Sequence, residues 1–407
     1  MNVNTLRFAD RRIGGPICRL LTILRHLGRL LHHRTDTRIP HRVVVIKLTE
    51  MGSTVLAYPA LAQLRRRIPN LELFFLSFDE FGGIFDELGL GPAERTLRVD
   101  TSSTWRMCWT GWRAIRRLRA LQVDTAIDMD FFSRFSVILA FLACPRGIRV
   151  GFHRFTSEGL HCGNLLTHPV LYSAHIHTSQ AFMALVEALF TPHLSEVYLK
   201  QPLGGHDYTL PSHVSPPSVV ESVTRKLSEA RIPPTPGVSL VLVNPNSSAL
   251  FPLRKWPARH YIEFCRRLLA ERTDVRIAVT GGPDEKREAE TLAQQVGSNR
   301  CVSFAGATSL PELLGLYTLA RLMVTNDSGP AHFASLTPLR TIVLFGPETP
   351  QLYAPLGGRA TCLYKAFACS PCVSVYNAKH SPCQNNRCLQ AITVDEVLNE
   401  ARVVLTD

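Results

Sequence analysis

Several features that would place a chain in a familiar class are missing from this 407-residue sequence. No apolar run approaches the roughly 18 residues that mark a transmembrane helix, so we predict none. The N-terminal residues lack a long apolar stretch before a small-residue cleavage site, so we expect no secretory signal. Zinc-finger spacing, an aromatic RNP-like strand and basic-zipper heptads are also missing, so we predict no nucleic-acid partner.

Acidic residues are scarce relative to basic ones, 33 against 45, which gives a net charge of +12. Part of this excess lies in residues 1–40, where Ile17, Leu20 and Leu24 recur at helical spacing among arginines and histidines. Two interpretations stay open. The segment is either a helix docked on the protein or an interfacial helix that lies on an anionic membrane through residues 1–38.

The rest of the chain alternates apolar strand-like runs with amphipathic helical runs, which is typical of an α/β protein with parallel sheets. Its length suggests two or three domains. We predict a first domain over residues 41–215 and a second over 216–407, separated by a stretch rich in proline, serine and glycine. The predicted strands are 42–48, 72–78, 123–129, 239–244, 274–280, 301–304, 321–326 and 341–345.

The most informative segment covers residues 321–347 and reads RLMVTNDSGPAHFASLTPLRTIVLFGP. It predicts a buried strand, a polar turn, a short helix and a second buried strand. Asp327 or Ser328 can cap the helix, Gly329 relieves crowding, and Pro330 suits a first helical turn. Free N–H groups at a helix start, beyond the carboxyl end of a parallel strand, favour phosphate. We therefore predict a nucleotide-diphosphate site here.

Several motifs in order resemble glycosyltransferase family 9, the heptosyltransferases. They are VVVIKLTEMGSTVLAYPALAQLRRRIPN near the start, then NPNSSALFPLRKWPARHYIEF, VTGGPDEKREAE, FAGATSLPELLGLYTLARLMVTNDSGPAHFAS and TIVLFGPETPQLYAPLG. The resemblance implies a GT-B fold, in which two Rossmann-like parallel-sheet domains face a central cleft. It also implies inverting, metal-independent transfer of a heptose or related sugar, typically from ADP-heptose, to a growing lipopolysaccharide core.

The resemblance carries expectations about partners and place as well. The second domain would bind the nucleotide-sugar donor, and the first would present a lipid-linked glycan acceptor. A bacterial enzyme of lipopolysaccharide biosynthesis would then be cytoplasmic and peripheral on the cytoplasmic face of the inner membrane. The basic amphipathic segment at the N-terminus fits a membrane-bound acceptor.

The donor site that the resemblance implies centres on the turn after the strand at 321–326. Ser328 and Gly329 match the family's diphosphate-binding turn, and Asp327 matches a position that contacts the donor. Asn326 belongs to the same turn and is also expected to bind the donor. His332 lies one helical turn further on, where a packed histidine and a ligand contact are equally open interpretations. A plain helix cap remains the alternative for Asp327 and Ser328.

Two further clusters match the donor half of the family. Arg254 occupies the place where the family usually has a lysine, two residues before Trp256, and the adjacent Lys255 could substitute for it. A forked guanidinium and a point charge are not equivalent there. Asp284 and Glu285 follow a Gly-Gly-Pro turn and could accept hydrogen bonds from ribose hydroxyls, or they could simply start a charged helix.

The expected general base is where this sequence departs from the family pattern. The family usually carries Gly-Asp after the first strand, and here the pair is Gly52-Ser53. A serine hydroxyl cannot hold the transferred proton near neutrality. Glu50 on the same turn is our first choice of base. Asp128 and Asp130, which end the run VDTAIDMD, are the other candidates, and Asp130 is the second choice. The departure also leaves open a non-catalytic or altered-specificity nucleotide-sugar-binding homologue.

Four of the eleven cysteines cluster near the C-terminus, namely Cys369, Cys372, Cys383 and Cys388. Two close pairs of this kind would suit a structural zinc site, and disulfides or reduced thiols are the alternatives. We expect no cofactor to be required for catalysis. A dehydrogenase is disfavoured because neither domain opens with a G-x-G-x-x-G motif after its first strand.

Overall fold

A computed structural model describes residues 10–31, 40–153, 162–191, 199–247, 252–377 and 379–406. The chain divides into two compact units, residues 1–208 and 209–407. The sequence had placed this boundary between residues 215 and 216. Each unit is built on a six-stranded parallel sheet with helices around it. The predicted α/β class with two Rossmann-like sheets is therefore confirmed.

The sheet of the first unit has the strand order β3-β2-β1-β4-β5-β6, and every neighbouring pair is parallel. Its central strand has a continuous apolar run that is buried on both faces, as a covered parallel strand must be. The strands are β1 Arg42–Ile46, β2 Glu72–Phe78, β3 Thr96–Val99, β4 Thr125–Asp128, β5 Ile148–His153 and β6 His168–Leu171.

Most helices of the first unit begin shortly after a strand ends, and two of them begin at a serine. Ser103 and Ser133 accept hydrogen bonds from backbone N–H groups three residues on, which caps the helices that follow. A π-helical turn over Asp10–Gly14 and short 3₁₀ turns over Asp79–Phe81 and Ala93–Arg95 complete the unit. The helices are α1 Gly15–Leu31, α2 Met51–Arg67, α3 Gly83–Glu87, α4 Thr104–Ala120, α5 Arg134–Ala143 and α6 Thr178–Ala188.

Helix α1 docks on the first unit through the buried Cys18 and the partly buried Leu21, and its other apolar side chains largely face solvent. Cys18 is buried, and the Arg25 guanidinium donates a hydrogen bond to the Leu166 carbonyl at 3.2 Å. The predicted apolar positions Ile17, Leu20 and Leu24 are exposed. An ordinary docked helix would bury that stripe. No helix among the described residues is long and apolar enough to cross a bilayer.

The sheet of the second unit has the order β12-β11-β10-β7-β8-β9, again parallel throughout. The strands are β7 Ser239–Asn244, β8 Val275–Val279, β9 Cys301–Ser303, β10 Leu322–Asn326, β11 Arg340–Phe345 and β12 Ala360–Tyr364. The helices are α7 Pro217–Glu229, α8 Ala258–Glu271, α9 Lys286–Val296, α10 Leu310–Leu319, α11 Gly329–Ala334, α12 Pro350–Tyr353, α13 Arg387–Gln390 and α14 Val394–Thr406, with 3₁₀ turns over Pro252–Arg254 and Pro283–Glu285.

In each sheet the strand order reverses at one point. In the first unit this point lies between β1 and β4, and in the second it lies between β7 and β10. Ligands of open α/β sheets bind outside the carboxyl ends of the strands at such a reversal, because the following loops diverge there. These two strand pairs therefore mark where a functional site of each unit is expected.

Candidate functional site

The turn after β10 starts at the strand reversal of the second unit. Asn326 ends the strand, Asp327 and Ser328 form the turn, and α11 begins at Gly329. The Ser328 hydroxyl donates to the Asn326 carbonyl at 3.2 Å, which holds the turn closed. N–H groups of a first helical turn have no acceptor within the helix. The strand, turn and helix thus occur in the order that the sequence predicted.

Asn326 is a buried structural residue at the centre of this turn. Its Oδ1 accepts hydrogen bonds from the Trp256 backbone N–H at 2.9 Å and the Tyr261 hydroxyl at 3.0 Å. Its Nδ2 donates to the Pro245 and Asn246 carbonyls at 2.8 and 3.1 Å. The amide is fully used by protein groups, so Asn326 positions the loops around it. The predicted direct contact between this side chain and the donor is not supported by its geometry.

Arg254 lies beside the turn and connects two acidic side chains. Its Nη1 is 3.4 Å from Asp327 Oδ2, and its Nη2 donates to Glu348 Oε1 at 2.8 Å. All three side chains are almost completely shielded from solvent. The sequence singled out Arg254 and Asp327 but missed Glu348. The position of Glu348, directly after β11 at the same sheet edge as Asp327, is the signal that could have revealed it.

Lys255 points away from this group. Its Nζ lies 2.9 Å from Glu288 Oε2 on α9, in a partly exposed pair at the surface. This contact argues against the hypothesis that Lys255 substitutes for the family's usual lysine. Adjacent residues of a turn send their side chains in different directions, and here only Arg254 points to the turn after β10.

The turn after β8 carries the other predicted donor ligands. Glu285 Oε2 accepts a hydrogen bond from the Gly282 N–H at 2.7 Å, and burial raises the pKa of this carboxyl. Asp284 is exposed. A Cβ at Gly281 would lie 2.5 Å from Asn246 Nδ2, so glycine is needed for β7 and β8 to bring their loops together. Glu285 therefore caps its own turn, and Asp284 is the carboxylate that faces solvent.

His332 occupies the second half of the short helix α11 and is buried. Its neighbours Ala331 and Phe333 are buried as well, so the helix is packed on most of its surface. This placement agrees with the packed-histidine interpretation.

In the first unit, Glu50 caps the start of α2 in a left-handed backbone conformation, with φ 66° and ψ 73°. A non-glycine residue in this region is strained, and such strain collects at functional sites. The Ser53 hydroxyl donates to the Glu50 carbonyl at 2.9 Å and lies 3.4 Å from Glu50 Oε2. Ser53 is buried and Glu50 is half-buried. The serine hydroxyl therefore helps to hold Glu50 in place, while solvent can still reach the Glu50 carboxylate.

Asp130, the alternative base, is held in a buried ion pair. Its Oδ1 lies 3.0 Å from Lys47 Nζ, and its Oδ2 accepts the Leu48 N–H at 3.0 Å. Lys47 also donates to the Thr49 carbonyl at 2.6 Å. Both carboxylate oxygens are therefore committed to holding the segment after β1. This geometry makes Asp130 a positioning residue for the Glu50 turn, and it argues against Asp130 as the base.

Asp128 lies at the end of β4, next to that ion pair. Burial, and then repulsion from Asp130, raises the pKa of its carboxyl well above the usual value. Its Oδ1 accepts the Asp130 N–H at 3.1 Å, and its Oδ2 lies 2.8 Å from the Ser136 hydroxyl. That hydroxyl is also 3.0 Å from the Ser133 carbonyl, so it can donate a hydrogen bond there and accept one from a protonated Asp128. A neutral Asp128 fits this arrangement.

The four C-terminal cysteines are free thiols with separate neighbours. The Ser381 hydroxyl donates to Cys372 Sγ at 3.2 Å, and Cys383 Sγ donates to the Asn385 carbonyl at 3.2 Å. Cys369 is exposed, whereas burial raises the pKa of the Cys388 thiol. Within the described part of the chain, no three His, Cys, Asp or Glu side chains form a group that could hold a metal ion.

The chain is similar in sequence to heptosyltransferases of known function. The lipooligosaccharide heptosyltransferase 2 of Haemophilus influenzae is 31% identical over 115 residues, which are 28% of this chain and 33% of that protein. The alignment thus spans about a third of that relative. The lipopolysaccharide core heptosyltransferase OpsX of the same organism is 21% identical over 78% of this chain and 83% of its own length.

Solved structures are similar over most of the chain. The ADP-heptose lipopolysaccharide heptosyltransferase II of Escherichia coli has a TM-score of 0.66 at 18% identity, covering 90% of this chain and 98% of that one. This likeness shows the GT-B fold. The sequence profile of glycosyltransferase family 9 (heptosyltransferase) matches residues 111–381, more than half of the chain. The chain therefore belongs to glycosyltransferase family 9.

Proposed function

We propose that this protein is an inverting, metal-independent glycosyltransferase that transfers a heptose or related sugar from a nucleotide-sugar donor to a lipopolysaccharide-type glycan. The observation that carries the proposal is Arg254, held between Asp327 and Glu348 beside the turn after β10. A fixed guanidinium next to the N–H groups of a helix start, at the strand reversal of a parallel sheet, suits a nucleotide diphosphate.

The proposed donor is ADP-heptose. Family membership supports a heptose, and the similar solved structure from Escherichia coli is described as an ADP-heptose heptosyltransferase. In this chain, the exposed Asp284 is the proposed acceptor of hydrogen bonds from ribose hydroxyls. The turn of Ser328 and Gly329 is the proposed seat of the diphosphate.

The proposed reaction exchanges one bond at the anomeric carbon of the sugar. The acceptor hydroxyl oxygen attacks that carbon from the face opposite the diphosphate, and the bond to the diphosphate oxygen breaks. The hydroxyl proton passes to the Glu50 carboxylate, and the electron pair leaves with the nucleoside diphosphate. Arg254 and the backbone N–H groups of the donor turn stabilise the charge that develops on the leaving group. In this proposal, groups of the protein take the part that a metal ion plays in metal-dependent glycosyltransferases.

The proposed acceptor is a lipid-linked glycan at a membrane surface. Helix α1 supports this part of the proposal, because Ile17, Leu20 and Leu24 face solvent on a helix that carries arginines. An amphipathic helix with this distribution binds the headgroup region of anionic bilayers. We therefore propose a peripheral association at the cytoplasmic face of the inner membrane through residues 1–38, of which residues 10–31 are described.

Ser53 supports a second candidate function. The position where the family usually has an aspartate holds a hydroxyl, and a homologue without its base could bind a nucleotide sugar without transferring it. Glu50, half-buried and adjacent to Ser53, favours the catalytic alternative.

A binding measurement and a transfer measurement separate these candidates. Thermal unfolding is followed with ADP-, GDP- and UDP-sugars, since a ligand that binds only the folded state raises its stability. We expect the largest shift with ADP-heptose, a weaker shift in Asp327→Ala, and transfer to a heptose-deficient lipopolysaccharide acceptor. Stabilisation without transfer would favour the binding homologue. If none of the three nucleotide sugars raised the unfolding temperature, the donor assignment would be overturned.

A further inference from the structure

Three tryptophans form an exposed row on α4, which we call the tryptophan ladder. Trp105, Trp109 and Trp112 are 73%, 45% and 47% exposed. Their spacing of four and three residues places them on one helical face. Successive ring centroids lie 6.2 and 5.1 Å apart in stacked orientation. Apolar surface of this extent is uncommon on a protein and marks an interaction site.

The ladder is not the packing face of the helix. The opposite side of α4 buries Gly111, Ala114, Ile115 and Leu118, and the last three join the apolar core around β3 and α5. The helix is therefore anchored without the tryptophans. Packing within the unit gives no reason for three large aromatic side chains at exposed positions, so the ladder is available to a partner.

The surroundings of the ladder are positively charged. Helix α4 contains no aspartate or glutamate. The Arg116 guanidinium lies 4.8 Å from the centre of the Trp112 ring, and Arg113 is exposed beside it. Among the arginines of this helix, and within the described part of the chain, only Arg106 forms an ion pair, with Asp100 at 3.1 Å. The basic residues of α4 are Arg106, Arg113, Arg116, Arg117 and Arg119.

We propose that the tryptophan ladder docks the first unit on a bilayer that carries anionic headgroups. Indole rings prefer the boundary between headgroups and acyl chains, because they join a large apolar body to one N–H donor. Arginines at the same depth reach outward to phosphates. Aromatic groups and cations on one face, with no acidic residue on the helix, match that environment in both polarity and charge.

Helix α5 packs against both the ladder helix α4 and helix α1. Helix α5 packs against α1 through Val137 and Ile138, which cluster with Cys18. The same helix packs towards α4 through Leu139 and Ala140. Helices α1 and α4 therefore flank α5, and each carries exposed apolar side chains. A single bilayer contact by two elements would bind more strongly than either element alone.

Two other occupants fit less well. A second copy of the chain would bring two arginine-bearing faces together, and like charges oppose that contact. A sugar would need open ring faces for stacking, whereas the ladder uses ring faces for contacts between its own members. The inference goes beyond the proposed transfer reaction and stands without it, since it depends only on the surface of the first unit.

The ladder has a built-in spectroscopic signal. The chain has four tryptophans, and the fourth, Trp256, is buried in the second unit. Fluorescence of the full-length protein is measured with vesicles of phosphatidylglycerol and phosphatidylethanolamine. We expect a blue shift and quenching by brominated acyl chains, with neither change on phosphatidylcholine vesicles. An unchanged emission from protein that sediments with the vesicles would overturn the proposal without any variant.

Variants then separate the ladder from α1. W105S/W109S/W112S should partition into anionic vesicles more than about tenfold more weakly than the unsubstituted protein. Val403→Ser, which removes an exposed valine from α14, is the matched control and should bind normally. I17Q/L20Q/L24Q tests the proposed role of α1, and its emission should still shift at saturating lipid. The ladder proposal would be refuted if W105S/W109S/W112S bound anionic vesicles as strongly as the unsubstituted protein. It would also be refuted if these substitutions dissociated a dimer of the protein and left vesicle binding unchanged.

Discussion

Lys47 and Asp130 form a buried ion pair across the strand reversal of the first unit, with Nζ and Oδ1 3.0 Å apart. The pair ties the segment after β1 to the end of β4, and the Glu50 turn begins three residues beyond Lys47. A buried pair of this kind costs several kcal/mol to break, because it strands the remaining charge. It therefore fixes the backbone from which Glu50 projects.

The assignment of the base predicts opposite phenotypes for two carboxylates. Glu50→Gln keeps the shape of the side chain and removes its basicity, so turnover should fall roughly a hundred- to ten-thousand-fold with donor affinity unchanged. Asp130→Asn should instead lower the free energy of unfolding by roughly 3–5 kcal/mol, because Lys47 loses its partner. Steady-state kinetics and denaturant unfolding of both variants measure this contrast.

A rescue variant sharpens that test. Adding Ser53→Asp to Glu50→Gln returns a carboxylate to the place where the family usually has one, and turnover should recover in part. Normal turnover in Glu50→Gln, together with a folded but inactive Asp130→Asn, would assign the proton transfer to Asp130.

The side chains of Arg254 and Lys255 should differ in function although the residues are adjacent. Arg254→Lys keeps the charge and loses the fork that reaches both Asp327 and Glu348, so donor affinity should fall about tenfold or more. Lys255→Ala removes only a surface pair with Glu288 and should bind the donor normally. Isothermal titration with the donor nucleotide decides between them. The reverse order of effects would return the family's lysine role to Lys255.

We expect Asp128 to make the free energy of unfolding depend on pH. Its pKa is raised in the folded state above the ordinary value of 3.8. As pH rises above 3.8, the unfolded chain ionises while the folded chain keeps the proton, so this group lowers stability progressively. Asp128→Asn removes the ionisable group, so its stability should not fall for this reason. The free energy of unfolding of the variant should therefore increase relative to that of the parent protein as pH rises from 4 towards 7. A stability difference that stays constant over this range would show that Asp128 is ionised in the fold.

Removal of divalent cations should leave transfer intact. In the proposed donor site, Arg254 and backbone N–H groups would stabilise the leaving diphosphate without a metal ion, so a strong chelator should not reduce turnover. The assay is run with EDTA and then with added magnesium, manganese or zinc. Recovery only with magnesium or manganese would contradict the proposal, and recovery only with zinc would implicate Cys369, Cys372, Cys383 and Cys388.

Sequence patterns predicted most interior strands, because fully buried parallel strands are continuous apolar runs. The interior strand β5 was missed, since Arg149 and Gly151 interrupt its apolar run. The other strands that the sequence missed are edge strands with weaker patterns. β3 has four residues that alternate in burial, β6 contains Pro169, and β12 is half-buried throughout. Proline and short length both argue against a strand when only local sequence is considered.

The site was predictable where chemistry was local and unpredictable where it was not. The order of strand, turn and helix around Asp327 follows from its own segment. The ion pair between Arg254 and Glu348 joins residues 94 positions apart, and no local pattern specifies it. The tryptophans of α4 have the spacing of a helix face that packs on a core, so the sequence alone would place them inside the protein. The structure shows that the opposite side of α4 is buried and that the tryptophans are exposed.

If Glu50 is the base, as proposed, its left-handed backbone sets catalysis against stability. A glycine at this position would relieve the conformational strain, which for a residue with a side chain costs roughly 1–2 kcal/mol. Glu50→Gly should therefore unfold at equal or higher denaturant concentration than the parent, while it loses the proposed base. Selection for stability alone would favour glycine here. A glutamate in this strained turn is what selection for the proposed proton transfer would favour.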